Sequence, residues 1–268
     1  MKIRFSIVVI CALITISCGS NKLQVNNSNN EVFNLDFEGN TIGPYTENNL
    51  NKDVGDVNWK LLKDRATIEL DETHGKVLKV LYPKGSIGPK QGGIQFDKPL
   101  PKASEYTLEY NIKFMEGFDF RLGGKLPGLT SGGEKYTGGV HPDNGEGWSA
   151  RYMWIADGEI IVYFYHMDME HKWGDSVKTN VFFKPGQWYK IKQHIKLNDS
   201  DQFNGVMEVW IDNEKVIHDD KVRYRLAPLG EIDSFYFSTF HGGNTEDWAP
   251  KKDSFIYFDN FKVTKFQN

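Results

Sequence analysis

The chain has 268 residues, a net charge of -4 and 14% aromatic residues. A charge so close to balance gives no basis for binding a polyanion over the whole chain, and the basic stripe that nucleic acids require is missing. Both cysteines, Cys11 and Cys18, fall in the first eighteen residues, so the rest must be held by its core, with or without a metal, and not by a disulfide.

Residues 1–18 read MKIRFSIVVICALITISC, with Lys2 and Arg4 ahead of an apolar run over 5–16. The run is shorter than the roughly 20 apolar residues of a membrane span, and its basic flank fits a secretory signal. The ending Ile-Thr-Ile-Ser-Cys resembles a bacterial lipobox. That implies removal of residues 1–17, a lipid on Cys18, and an exported lipoprotein held to a membrane in the periplasm, at the outer membrane or on the cell surface. An ordinary cleaved signal with an incidental cysteine is the alternative. The Asn-rich stretch 18–31 suits a solvated tether, and 32–268 is enough for one large all-β domain.

Strand-like runs follow at 32–37, 66–70, 77–82, 93–96, 106–114 and 118–122, then at 149–155, 160–166, 188–197, 206–211, 215–218, 234–240 and 255–263. Their lengths and Gly, Pro, Asn and Asp punctuation predict a single antiparallel β-sandwich or jelly roll, with no convincing helical period after the signal. Three stretches are richer in glycine than turns require: 123–128, 131–147 and 241–244. They read as loops, two of which carry Lys125 and His141, and glycine there permits close approach of backbone to a ligand.

The hairpin over 148–167, WSARYMWIADGEIIVYFYHM, dominates the second half. Asp157-Gly158 between two alternating runs is a strong hairpin signal. A two-residue turn would put Arg151 and the two tyrosines on opposite faces. A three-residue turn, Ala156 to Gly158, would set Arg151 opposite Tyr163 and Ser149 opposite Tyr165. The second register is preferred, because it leaves Tyr152, Trp154, Ile160, Val162 and Phe164 together as a core face.

A serine, an arginine, two tyrosines and a lysine, without a conspicuous acidic pair, do not suit a standard glycosidase. Neither a GxSxG elbow nor an HExxH helix is present. The set suits elimination next to a uronate carboxylate: Arg151 neutralises the carboxylate, while a tyrosine or Lys125 moves protons.

The stretch 123–129, Gly138-Gly139, Trp148-Ser149-Ala150-Arg151-Tyr152-Met153-Trp154 and Tyr163-Phe164-Tyr165 resemble the family 14 polysaccharide lyases, which act on alginate. They are also similar to the family 20 glucuronan lyases. The likeness continues through 185–188, Gln193, 196–198, Ser238-Thr239-Phe240 and 257–261. It implies a β-jelly roll that performs β-elimination on uronate glycans such as alginate, glucuronan or ulvan, leaving 4,5-unsaturated ends. It also implies that Lys125, Ser149, Arg151, Tyr163 and Tyr165 carry the reaction, with Lys135 as the fallback lysine.

His241 stands where that pattern leads one to expect an aromatic, and His141 lies in the glycine-rich loop before the hairpin. Two histidines by the cleft leave open which group is base and which is acid. They also leave open a dehydratase that expels water from a terminal uronate of an oligosaccharide. A non-catalytic glycan-binding lipoprotein is a third reading. Tyr136 and Trp248 are loop aromatics suited to stacking on sugar, and Gln193 is a candidate hydrogen-bonding group in the cleft. No cofactor is expected for catalysis. Asp36, Glu38 and Asp259, near the first and last strands, offer oxygen ligands for a structural Ca2+ ion, or are simply strand-end carboxylates. The expected partner is an anionic uronate glycan, bound by a monomer.

Overall fold

Alternating side chains sort most of the chain into strands with one buried and one exposed or site-facing side. The structure, a computed structural model, describes residues 30–266. The signal, Cys18 and most of the tether lie outside the described residues. The first half contributes β1 (Asn30–Leu35), β2 (Gly43–Pro44), helix α1 (Glu47–Val54), β3 (Trp59–Leu61), β4 (Ala66–Asp71), β5 (Gly75–Tyr82), β6 (Ile94–Ala103) and β7 (Glu105–Phe114). Then come β8 (Gly123–Ser131), β9 (Trp148–Ile155), β10 (Glu159–Tyr165), β11 (Asp175–Phe182) and β12 (Trp188–Lys196). The last four are β13 (Gly205–Ile211), β14 (Glu214–Val222), β15 (Ile232–His241) and β16 (Ser254–Lys265).

Two antiparallel sheets result, as expected for a jelly roll. One runs β14-β13-β12-β7-β16-β5-β4-β2, with β1 added to β16, and the other runs β11-β10-β9-β8-β15-β6-β3. The core between them is largely aromatic. Tyr110 stacks on Phe261 at 5.3 Å, Phe96 on Phe237 at 4.8 Å, and Trp154 meets Phe114 edge-on at 5.7 Å. Tyr152, Trp154, Ile160, Val162 and Phe164 all join this core, as the hairpin's alternation predicts.

Four local expectations need correction. The tether ends earlier than residue 31, because Asn30 and Glu31 already pair with Lys265 and Thr264. Residues 118–122 are not a strand; Phe118 turns inward to pack on Phe114 at 4.7 Å, and the chain reaches β8 through a turn. The glycine-rich 123–128 is strand, not loop: a Cβ on Gly124 would come within 2.1 Å of the Trp154 ring, so the glycine makes room for that indole. Helix α1 escapes a periodicity search because only Leu50 and Val54 are buried. It is fixed at its start by a capping box, in which the Thr46 hydroxyl accepts from Asn49 N–H and the Asn49 side chain accepts from Thr46 N–H.

Candidate active site

The β9–β10 hairpin turns through Ala156, Asp157 and Gly158, with Asp157 and Gly158 both in the left-handed region at φ 62° and 83°. This three-residue connection sets Tyr163 opposite Arg151 and Tyr165 opposite Ser149, the register the sequence favoured. On the other side of β9, Gly128 of β8 faces Arg151, and Tyr236 of β15 faces Gly128 in turn. Gly128 therefore leaves a gap in the sheet's outer face between Arg151 and Tyr236. A Cβ there would come within 2.3 Å of the Ala150 carbonyl oxygen. Through this gap the Arg151 guanidinium reaches across β8, 5.2 Å from the Tyr236 ring centre, and donates to the Ser238 hydroxyl at 3.1 Å.

Arg151 is 2% exposed, its Nε has no hydrogen-bond partner, and among the described residues no carboxylate forms an ion pair with it. Burial lowers its affinity for its proton, with the nearby phenols of Tyr236, Tyr165 and Tyr163 opposing. A guanidinium remains charged under any such shift, so the site holds a buried cation with no ion-pair partner among the described residues.

Lys125 lies on the same face, paired with Met153 of β9, and its Nζ stands 3.8 Å from the Tyr163 ring centre beside the Met153 sulfur. Burial, reinforced by the charge of Arg151, pushes the Lys125 ammonium well below the ordinary lysine range. Tyr163 is moved the other way, upward, by burial and by its contact with the Tyr165 hydroxyl at 3.3 Å. Tyr165 is wholly buried, and its oxygen accepts from Gly139 N–H at 3.1 Å. The half-buried Tyr163 is thus the phenol at the surface, with Tyr165 behind it. Lys135 is far less suited: it is exposed, 3.4 Å from Glu146 on the outside of its loop.

Ser149 is buried and donates to the Tyr136 carbonyl at 2.7 Å, so its hydroxyl anchors the loop of residues 132–147 and does not face the open surface. Tyr136 itself is 4% exposed and packs under Gly132 and Gly147, which leaves no ring face for a sugar. His141 has Nε2 bonded to the Met169 carbonyl at 2.7 Å, while Nδ1 lies against Asp143 without a hydrogen bond to it, so the ring is held within the loops. Trp248 is half-buried over Gly242 and Gly243 at the end of β15.

Two substrate-binding expectations are corrected by which way the strands face. Gln193 points from β12 into the core, where it accepts from Leu129 N–H at 3.0 Å and donates to the Ala150 carbonyl at 2.8 Å. The bulge at Leu126/Gly128 interrupts the β8–β9 ladder beside these groups, and Gln193 satisfies them from the opposite sheet. His241 is likewise internal, stacked on Phe118 at 5.5 Å and bonded to the Asp119 carbonyl, and burial pushes it down to about 4. The carboxylates named for calcium do not form a ready cage: among the described residues no three His, Cys, Asp or Glu side chains are arranged to hold a metal ion. Asp36 and Glu38 accept from backbone N–H groups, while Asp259 is buried with one oxygen on Asn260 Nδ2 and the other unpartnered.

Sequence reasoning missed Tyr236 and Ser238 as the partners of Arg151. The signal was available, since Ser234, Tyr236 and Ser238 alternate with inward Phe235 and Phe237, which marks a polar outer face on a central strand.

The family profile of polysaccharide lyase 14 matches residues 70–261, most of the chain. The chain belongs to polysaccharide lyase family 14. The family expected from the sequence is thereby borne out. Among solved family 14 and related structures, the alginate lyase Aly36B superposes with a TM-score of 0.76 at 27% identity, covering 87% of this chain and 96% of that one. The alginate lyase vAL-1 from a Chlorella virus gives 0.70 at 25% identity, covering 88% and 100%. Aly36B has also been solved in complex with alginate tetrasaccharide. The curated relative is Exolysin of Paramecium bursaria Chlorella virus 1, 26% identical over 66% of this chain. The chain spans about a third of that relative's length, 33%.

Proposed function

We propose that this family 14 lyase eliminates across C4 and C5 of a uronic acid, with Arg151, Lys125 and Tyr163 as the groups that touch the reacting sugar. The observation that carries the assignment is the buried, carboxylate-free Arg151 guanidinium standing beside a lysine and a phenol displaced in opposite directions. Arg151 grips the uronate carboxylate and stabilises the enolate-like charge that develops when C5 loses its proton. Lys125, whose neutral amine is favoured by its surroundings, takes that proton. Tyr163, which holds its proton firmly, delivers it to O4 as the C4–O4 bond breaks and the C4=C5 double bond forms. Lys125 Nζ lies over the Tyr163 ring, and return of one proton from the ammonium to the phenolate by way of solvent restores the starting state. Tyr165, bonded to Gly139 N–H, holds the Tyr163 hydroxyl in place. Ser149 acts one step further back, by fixing the loop that carries Gly139.

The related structures with bound alginate oligosaccharide support an anionic uronate glycan as substrate. The assignment is tested by following unsaturated uronate formation from alginate, glucuronan and ulvan oligosaccharides with the parent protein and with Lys125→Ala and Arg151→Ala. Product from the parent and loss of about 10²-fold or more in each variant is expected; product formation unaffected by either substitution removes these residues from the mechanism.

The N-terminal reading is a separate proposal. Residues 1–17 act as an export signal and Cys18 carries a lipid, so that the lyase works while tethered to a bacterial membrane. Cys18→Ala should release the protein from the membrane fraction; retention there would contradict lipidation at Cys18.

A further inference from the structure

A single cross-strand row runs through the site: Trp59 on β3 faces Asp97 on β6, Asp97 faces Tyr236, Tyr236 faces Gly128, Gly128 faces Arg151, and Arg151 faces Tyr163. The charge along this row changes sign. Its β9–β10 end carries Arg151, with Lys125 close by. Its β6–β3 end carries Asp97, and Glu134 in the adjoining loop. Gly133 presses directly on Asp97, where a Cβ would come within 2.4 Å of the carboxylate, so Glu134 is brought to the same end. Tyr236 lies between the two: Arg151 favours its phenolate, whereas Glu134 and Asp97 disfavour it, on top of the larger upward push of burial.

The groups at the β6–β3 end are those that bind hydroxyls. Trp59 meets Tyr236 at 5.8 Å, and its indole N–H is buried without a hydrogen-bond partner among the described residues. Glu134 is exposed, has no ion-pair partner among the described residues, and has its carboxyl raised by the partial desolvation of its inner side and by Asp97. Asp97 accepts from Asn58 Nδ2 at 2.9 Å and from the Ser234 hydroxyl. Asp233, bonded to Gly132 N–H, adds a third carboxylate, and Lys102 is the cation that acts on it. The Trp59 ring, its free N–H and the exposed Glu134 carboxylate suit an uncharged sugar, while Asp97, buried with both oxygens engaged, acts there only through its charge. A second uronate there would set its carboxylate against Glu134 and Asp97, and a like-charge juxtaposition is strongly unfavourable.

We infer that the subsite at the Trp59 edge of this row, with Glu134 beside it and the buried Tyr236 as its floor, takes an uncharged sugar, so that the substrate joins the uronate held by Arg151 to a neutral residue and is not a run of uronates. The inference rests on the proposed role of Arg151. It goes further by naming the neighbouring sugar, and it makes Glu134 and Trp59 specificity determinants.

The test compares an unsulfated tetrasaccharide alternating glucuronate and rhamnose with tetraglucuronate and tetramannuronate. Turnover is read as unsaturated uronate, and binding is measured calorimetrically on the Tyr163→Phe variant. The alternating tetrasaccharide should lead by about tenfold or more in kcat/KM and in affinity. Glu134→Gln should narrow that lead by improving the homo-uronates, and Trp59→Ala should raise KM for the alternating substrate more than it lowers kcat. Equal or better binding of the homo-uronates, unaltered by Glu134→Gln, overturns the inference while leaving elimination intact. Preferential binding of the alternating tetrasaccharide with no unsaturated product from any substrate supports the subsite and sinks the elimination reading alone.

Discussion

The guanidinium of Arg151 lies 5.2 Å from the centre of the Tyr236 ring, reached across a strand whose intervening residue, Gly128, has no side chain. The arginine is held by one hydroxyl and one aromatic face, with no counter-ion among the described residues. Such an arrangement stores an electrostatic cost in the free protein that a bound carboxylate relieves.

That cost is measurable. Arg151→Met should abolish turnover and also raise the free energy of unfolding by about 1 kcal/mol, because an uncompensated buried charge is exchanged for an apolar side chain of similar reach. Denaturant unfolding of the two proteins checks this. A variant less stable than the parent would show that Arg151 is paid back within the fold.

Tyr163 and Tyr165 should separate in mutant kinetics. Tyr163→Phe should lower kcat by about 10²–10⁴-fold with little change in KM, as expected for a group that moves a proton. Tyr165→Phe removes only the group behind it and should cost less. The order of the two losses, measured on one substrate, decides which phenol meets the sugar.

The pH profile follows from Lys125. A base acts in its neutral form, so kcat/KM should rise with pH through the depressed lysine value and stay high until Tyr163, displaced upward, begins to lose its proton. The active range is therefore bounded by a limb well below the ordinary lysine pKa and one above the ordinary tyrosine pKa. If Lys125→Ala, through its residual activity, retains the acidic limb unchanged, another group is the base.

Gln193 has a structural role that stability alone should reveal. Gln193→Ala leaves Leu129 N–H and the Ala150 carbonyl without their side-chain partner inside the sandwich and should cost about 1–3 kcal/mol of stability. KM should hold at the parent value under conditions where the variant is folded. A raised KM with unchanged stability would return Gln193 to the cleft.

Asp259 sets a pH dependence of stability away from the site. Its carboxyl is pushed up to about 7 by burial first, with Glu38, Asp36 and Asp71 adding to the shift. A carboxyl raised in the folded state stabilises fully below its unfolded value, and that contribution is lost as pH rises through about 7. Asp259→Asn should therefore be more stable than the parent at pH above about 7 and show a flatter Tm-against-pH curve between pH 4 and 8. Parallel curves for the two proteins would contradict this.

How much was legible in the sequence depended on whether a position was governed by local alternation or by what lies across the sheet. The hairpin was readable because period-2 patterning and the Ala156-Asp157-Gly158 turn fix both faces without reference to other strands. From sequence Lys125 reads as a loop residue, since the glycines around it look like punctuation until the Trp154 ring that they accommodate is in place. Gln193 and His241 read as cleft residues on chemistry alone, yet their parity points inward, as Ile191 and Ile195 show for one and Phe235 and Phe237 for the other. Trp59 sits on a three-residue strand, too short for any alternation to read. The gap left by Gly128 exists only once β8 lies between β9 and β15.

The central claim, elimination and not hydrolysis at a uronate, is tested most directly by digesting uronate oligosaccharides in heavy-oxygen water and weighing the products. Fragments whose masses sum to that of the substrate, one of them bearing an unsaturated uronate and none carrying the label, are predicted, and they should form about 10²-fold or more slowly with Lys125→Ala. Fragments that together exceed the substrate by one labelled water would contradict the account.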